Sequence, residues 1–75
     1  MSPYNRELHP SEEALLRFFE AAHLPDRLRR VSEPFAVLAA HIINSAPPSA
    51  ETTTALRKLL EAKDCAVRAA IEDRA

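Results

Sequence analysis

Lys63 is the residue of this 75-residue chain whose position most suggests ligand chemistry. Between residues 55 and 71 the apolar side chains recur at helical spacing and form one stripe: Leu56, Leu59, Leu60, Val67, Ala70 and Ile71. Lys63 falls near the middle of this stripe. Because burying an ammonium group without a partner is costly, a negative group must lie close to it. That group is either a carboxylate of the chain, such as Glu33, or a phosphate of a ligand.

Two further pairs of residues have the types that a phosphorylated ligand needs. Tyr4 and Arg6 lie two positions apart in an N-terminal arm, where they suit a base and a phosphate. The alternative for this arm is a disordered tail, which is common at chain termini. Thr53 and Arg57 lie on one side of the same helix as Lys63. We expect the three to line a groove at a subunit boundary.

The sequence does not indicate an enzyme or a metal centre. His9, His23 and His41 are scattered and have no metal-ligand spacing. Cys65 has no base supplied by a sequence pattern, so we interpret it as a buried or interfacial cysteine. Paired carboxylates, a phosphate-binding glycine loop and a nucleophile motif are all missing. We therefore expect no catalysis, no metal and no cofactor.

The amino-acid composition restricts which fold classes and which partners are possible. The chain has no glycine and six prolines, which favours helices joined by proline-bearing links over β-hairpins. A net charge of −1 argues against duplex DNA as a partner, and so against a helix-turn-helix DNA-binding protein. No signal peptide or apolar run long enough to cross a bilayer is present, so we expect no membrane partner and a cytoplasmic location.

The pattern predicts a single all-α domain over residues 1–75. An irregular arm at 1–10 precedes a short first helix at 11–23, with Ser11 as its N-cap. A third helix at 50–73 begins after Ser49, a residue suited to cap it. On this helix Arg57 with Glu61, and Asp64 with Arg68, have the spacing of surface ion pairs.

The second helical segment, residues 25–45, contains a proline. Its apolar stripe runs through Pro34, which removes a hydrogen bond and clashes with the preceding turn. We therefore predict a helical turn at 25–31, a kink, and a main helix from 33 that is capped by Ser32. This kinked segment and the third helix should form a long antiparallel hairpin.

Size and patterning predict a homo-oligomer. A chain this short has a small core, and its single cysteine excludes an internal disulfide. Residues 35–43 are apolar on nearly every side, which is typical of a helix buried all round. Ala55, Ala62 and Ala69 recur every seven residues, as in a seam where helices approach closely. The alternative for the alanines is their high helix propensity alone.

The C-terminal forty residues resemble the helical hairpin of phage nucleotide sponges, the anti-CBASS and anti-Thoeris proteins. Their hairpin typically reads Glu-Arg-Ser/Thr-x-Ala-Leu-Thr-Lys-Leu-Glu-Glu-Ala, followed by an aromatic-rich stretch and Ala-Val-x-Ala. The matching positions are Ala55-Leu56, Lys58-Leu59, Glu61-Ala62 and Ala66-Val67-Arg68-Ala69. Thr52 stands where the family has arginine, and Cys65 stands where it has an aromatic residue. These departures predict either a different ligand or a loss of binding.

The resemblance implies a helical protein that assembles into dimers or hexamers and holds cyclic nucleotide messengers between subunits without cleaving them. It assigns ligand contacts to Tyr4 and Arg6 in the arm and to Thr53 and Arg57 in the hairpin. The ligands would be cyclic dinucleotides, cyclic trinucleotides or cyclic ADP-ribose variants, and their capture would block bacterial anti-phage signalling. The alternative function is a small protein-interaction or regulatory module that binds a host protein through the apolar second helix.

Overall fold

Every regular element that the structure describes is helical. The computed structural model describes residues 2–72, and it confirms the prediction of an all-α fold with three helices. The elements, in chain order, are α1 (Pro10–Leu16), a 3-10 turn (Arg17–Phe19), α2 (Asp26–Ser45) and α3 (Ala50–Glu72). The third helix was predicted to end at residue 73, which lies outside the described residues.

The core lies between α2 and α3 and is covered by α1 and the 3-10 turn. Ile43 of α2 and Leu56 of α3 are fully buried, and Leu16 and Phe19 close over them. The start of α2 lies beside the end of α3, since Arg27 Nη1 donates a hydrogen bond of 2.7 Å to the carbonyl of Ala70. Full burial of an aliphatic side chain contributes about 1.5–3 kcal/mol, so a core this small leaves the fold sensitive to single polar defects.

The first helix is shorter than the predicted 11–23. The chain leaves helical geometry after Phe19, and Ala21 is buried beyond it at a turn in which the amide of Leu24 donates to the Ala21 carbonyl. The N-cap is His9 rather than Ser11, and Pro10 occupies the first helical position. Proline suits that position because its missing N–H would have no partner there. The helix therefore begins one residue earlier than predicted and ends well before residue 23.

The second helix runs without interruption through Pro34, so the predicted separate turn and new helix start at residue 33 are wrong. The hydrogen bond that the proline removes would join residue 34 to the carbonyl of Arg30, and both residues are exposed. Water can therefore satisfy that carbonyl while the apolar stripe keeps its register against α3. Ser32 is not a cap: it is fully buried inside the helix, and its hydroxyl has no hydrogen-bond partner within residues 2–72.

Ser49 caps the third helix, as the sequence predicted. Its hydroxyl accepts a hydrogen bond from the amide of Thr52 at 3.1 Å, and the Thr52 hydroxyl donates to the carbonyl of Pro47 at 2.7 Å. The turn at 46–49 therefore needs no glycine. Side-chain hydroxyls make its hydrogen bonds, prolines fix its backbone, and none of its residues has a positive φ.

The N-terminal arm is packed against the end of α2 and is not a free tail. The amide of Asn5 donates to the Asn44 side chain at 2.9 Å, and that side chain donates to the carbonyl of Pro3 at 3.0 Å. The side chain of Arg6 reaches the C-terminal end of α2, where its Nε donates to the carbonyls of Ile43 and Ala46, each at 3.1 Å. These are carbonyls at the C-terminal end of α2, which lack helical partners.

Arg6 also forms a two-pronged ion pair with Glu12 of α1. Its two terminal nitrogens donate to the two carboxylate oxygens at 2.9 and 2.8 Å, and the amide of His9 donates to the same carboxylate at 2.8 Å. Glu12 is fully buried. The hydrogen bond from Arg6 holds the pKa of Glu12 below its ordinary value, although burial acts in the opposite direction.

Several large apolar side chains remain exposed. Val37 is 71% exposed and Leu38 is 45% exposed, so the stretch 35–43 is not buried on all sides within one chain. Ala39 and Ile43 from the same stretch are buried against α3. None of the helices described between residues 2 and 72 has the length and apolar character needed to cross a membrane.

Replacing the buried serine should stabilise the protein. The change Ser32→Ala removes an unpaired hydroxyl at nearly constant shape and improves helix propensity. We expect the free energy of unfolding to rise by about 1–2 kcal/mol, measured by urea denaturation. A fall would show that the hydroxyl has a partner that stabilises the folded state.

Removing the charge of Glu12 should destabilise the fold strongly at neutral pH. The change Glu12→Gln places an amide NH₂ against the Arg6 guanidinium and leaves that cation without its counter-charge. We expect a loss of about 3 kcal/mol at pH 7, whereas Glu13→Gln, an exposed neighbour in the same turn, should change stability by less than about 0.5 kcal/mol.

The pH dependence follows from the direction of the pKa shift. Because the folded-state pKa of Glu12 lies below its ordinary value of about 4.3, its contribution is fully present above that pH. The contribution is lost as the pH falls through the folded-state pKa. Unfolding curves of the wild type and the Glu12→Gln variant should therefore converge in acid. A gap that stays constant down to pH values of about 2 would contradict this account.

Candidate functional site

The five residues predicted to bind a ligand lie in three separate places. Thr53 and Arg57 share an open groove, whereas the sequence analysis predicted one groove lined by both of them and Lys63. Lys63 lines a different cleft further along α3. Tyr4 and Arg6 belong to the arm and line neither of these two cavities. The structure therefore keeps the helical pair together and separates it from the other three.

The groove lies between the N-terminal ends of α1 and α3, and we call it the hydroxyl groove. It has a volume of about 480 Å³. Its lining residues are His9, Ser11, Pro48, Ser49, Ala50, Thr53, Thr54 and Arg57. The members from α3 follow the spacing of one helical face, which is why the pairing of Thr53 with Arg57 was readable from the sequence.

A chain of side-chain hydrogen bonds joins the two walls of the hydroxyl groove. The Ser11 hydroxyl lies 2.9 Å from Nδ1 of His9 and 3.0 Å from the Thr53 hydroxyl. Nδ1 also accepts a hydrogen bond of 3.1 Å from the amide of Ser11. Since Nδ1 acts as an acceptor, the neutral ring carries its proton on Nε2. The arrangement fixes α1 to α3 and leaves a second imidazole nitrogen as a donor.

The electrostatics of the hydroxyl groove favour an anion. None of its lining residues is a carboxylate, and Arg57 is exposed without an ion pair or side-chain hydrogen bond among the described residues. The expected pair of Arg57 with Glu61 does not form in this part of the chain, because Glu61 lies 3.8 Å from Lys58 instead. The positive end of the 23-residue helix α3 also points to this groove, where Ala50 begins it.

The negative group beside Lys63 is the neighbouring residue. Lys63 Nζ lies 2.8 Å from Oδ1 of Asp64, and its side chain is only 13% exposed. Of the two partners that we considered for it, a carboxylate of the chain is the one present, but it is not Glu33, which lies 3.7 Å from Arg29. The stem of Lys63 covers apolar surface while its ammonium group reaches the carboxylate. The expected pair of Asp64 with Arg68 is not formed among the described residues.

The arm residues make contacts within the protein. The guanidinium of Arg6 is bonded to Glu12 and to three backbone carbonyls, which leaves it little capacity for a phosphate. Tyr4 is half-buried and packs against the core. Burial, followed by the nearby charge of Glu20, raises the pKa of Tyr4. We therefore place neither residue in the candidate site.

Thr54 of the hydroxyl groove was not predicted as a ligand contact, although it follows Thr53 directly on the same helix. On the α1 wall, His9 and Ser11 were not predicted as ligand contacts either. The segment His-Pro-Ser-Glu carries a signal for them, because a polar residue followed by proline and then glutamate is a helix start with a reciprocal cap. This signal locates the first turn of α1. It does not show that the turn packs against Thr53, which lies 42 positions later.

Compared with protein-family models, with curated proteins and with solved structures, the chain gave no match. Its function must therefore be inferred from the chemistry of its surface. Within residues 2–72 no group of three metal-ligating side chains is close enough to hold a metal ion. The hydroxyl groove instead offers hydroxyl, imidazole and guanidinium donors around an open space. Such a set can bind an anionic ligand that carries several acceptor oxygens.

Proposed function

We propose that this protein is a non-catalytic binding protein that sequesters a cyclic nucleotide second messenger in the hydroxyl groove. One observation carries the proposal: among the described residues, the groove is lined by hydroxyls, an imidazole and an Arg57 that forms no ion pair, and it has no carboxylate in its lining. A phosphodiester needs donors without competing negative charge, and this lining supplies them. The resemblance to the nucleotide sponges supports the same ligand class.

Each side chain of the groove has a distinct part in the proposed binding. Arg57 pairs with a phosphate through its two parallel N–H groups. The Nε2–H of His9 and the hydroxyl of Thr54 donate to further oxygens, while the bond between Ser11 and Thr53 keeps the walls at a fixed separation. The first turn of α3 adds the attraction of its helix dipole. Binding energy is used only to hold the ligand, so no proton transfer is required.

The size of the hydroxyl groove favours a site shared between subunits. A volume of about 480 Å³ is at the lower end of ligand sites, which suits one nucleotide of a larger cyclic molecule. A second copy of the chain would supply the remaining contacts. We propose that α2 and α3 form the antiparallel hairpin that assembles into a homo-oligomer, from dimer to hexamer, in the cytoplasm of the bacterial host.

Exposed side chains on both long helices support self-association. Val37 and Leu38 expose apolar surface on α2. Ala55, Ala62 and Ala69 are all exposed on α3, where small side chains permit close packing of a second helix. Burying these surfaces between copies would add the core that one chain of this size lacks.

The same exposed pair on α2 favours a second candidate function. A protein-interaction or regulatory module would bind a host protein through Val37 and Leu38, as an apolar helix face does in helix recognition. The two candidates differ in the state of the free protein. In a homo-oligomeric sponge this surface is already buried between subunits, whereas in an interaction module it stays exposed to solvent until the partner binds.

Ligand binding should depend on Arg57. In calorimetric titrations with a panel of cyclic dinucleotides, cyclic trinucleotides and cyclic ADP-ribose, we expect at least one to bind with a micromolar or lower dissociation constant. The change Arg57→Gln should weaken it by about tenfold or more, the usual loss for one charge-assisted contact. Lys58→Gln, a neighbouring cation outside the groove, is the matched control and should bind normally.

The fate of the ligand separates capture from catalysis. Heating the complex should release the cyclic nucleotide chemically intact, as judged by mass spectrometry. Recovery of a linear nucleotide would contradict a sequestering function. A protein that binds none of the panel would exclude the proposal altogether.

The oligomeric state can be tested by multi-angle light scattering. We expect a mass that is a multiple of the 8.4 kDa chain. If α2 forms the seam, Leu38→Glu should shift the mass to that of a monomer because it buries a charge in an apolar interface. If α3 forms the seam instead, Ala62→Glu should shift the mass to that of a monomer for the same reason. A wild-type monomer at all accessible concentrations would reject the homo-oligomer and favour the interaction module.

A further inference from the structure

A second cavity, separate from the hydroxyl groove, lies where the 3-10 turn meets the C-terminal half of α3. We call it the phenylalanine cleft, and its volume is about 370 Å³. Its charged, imidazole and aromatic lining residues are Arg17, Phe18, Glu20, His23, Lys63, Asp64 and Arg68. Arg68 lies eleven positions beyond Arg57, which is about 16 Å along the helix axis. One small ligand in the hydroxyl groove therefore does not reach this cleft.

Arginines without carboxylate partners line the phenylalanine cleft. Asp64 is already engaged by Lys63 at 2.8 Å. Neither Arg17 nor Arg68 forms an ion pair within residues 2–72, and Arg68 Nη2 donates only to the Cys65 sulfur, at 3.3 Å. Glu20 is the other carboxylate of the lining, and no ion pair in the described range engages it. With two arginines and one lysine against two carboxylates, the lining of the cleft has a positive net charge even without a charge on His23.

An aromatic ring stands exposed in the same cleft. Phe18 is 53% exposed, whereas its neighbour Phe19 is 3% exposed and belongs to the core. The guanidinium carbon of Arg17 lies 5.1 Å from the centroid of the Phe18 ring, within the range of a cation–π contact. Covering an exposed phenylalanine with another apolar surface is favourable, because it removes apolar area from water. A planar ring stacked on Phe18 would cover it at low entropic cost.

We propose that the phenylalanine cleft binds a small aromatic anion of the nucleoside monophosphate class. The planar ring stacks on Phe18, and the phosphate pairs with Arg68 and Arg17. Lys63 pairs with Asp64 at 2.8 Å, so this carboxylate is neutralised and does not repel the phosphate. The volume of the cleft accommodates one such molecule but not a cyclic dinucleotide. This site is independent of the proposed function of the hydroxyl groove.

The test is a titration of isotope-labelled, full-length protein with adenosine 5′-monophosphate, followed by amide chemical shifts. We expect saturable shifts in residues 17–24 and 63–68, whether or not the monophosphate also shifts residues 50–57 in the hydroxyl groove. Arg68→Gln should weaken the monophosphate by about fivefold to tenfold. Phe18→Leu should weaken both the monophosphate and unphosphorylated adenosine while leaving inorganic phosphate unchanged. Lys58→Gln, on the same helix but outside the cleft, should match the wild type.

The outcomes separate this proposal from the first one. No saturation at monophosphate concentrations of about 5 mM, or binding unaffected by both cleft variants, would overturn the assignment. Shifts confined to residues 9–11 and 50–57 would also overturn it, since they would place the ligand in the hydroxyl groove. Loss of phosphate binding in Phe18→Leu would show that the variant perturbs the cleft itself, and it would refute the stacking role.

Discussion

The buried ion pair between Arg6 and Glu12 is the interaction on which the rest of this fold depends. A chain without glycine lacks the residue that most often closes a helix C-terminus. Arg6 takes over that task by donating to the carbonyls of Ile43 and Ala46 while its remaining nitrogens hold the carboxylate of Glu12. One side chain thus joins the arm, α1 and the end of α2. The carboxylate is tolerated in the interior because every one of its contacts is charge-assisted.

This pair also sets the geometry of the hydroxyl groove. Glu12 accepts the amide of His9, and that contact with the reciprocal cap places the imidazole and Ser11 at the start of α1. Ser11 then meets Thr53 across the groove. The donor groups on the α1 wall are therefore held by a buried electrostatic contact rather than by the small apolar core. A ligand would meet a site that is already ordered, so it would lose little binding energy to rearrangement.

Features governed by local rules could be predicted from the sequence. The cap at Ser49 and the shared face of Thr53 and Arg57 depend only on residue type and helical spacing, and the structure shows both. The uninterrupted α2 could not be predicted, because the local cost of Pro34 is outweighed by packing of the whole stripe on α3. The partner of Lys63 was missed because helical spacing rules compare residues three or four positions apart, whereas Asp64 is adjacent. The roles of Arg6 and Ser11 depend on contacts with residues some forty positions away, which no periodicity encodes.

The most direct measurement of the central claim is an amide chemical-shift titration of the labelled protein with a cyclic dinucleotide. If the Arg6–Glu12 pair builds an anion site between α1 and α3, saturable shifts should appear at His9, Ser11, Thr53 and Arg57, on both walls together. Shifts on one wall only, or an unchanged spectrum at millimolar ligand, would contradict the account.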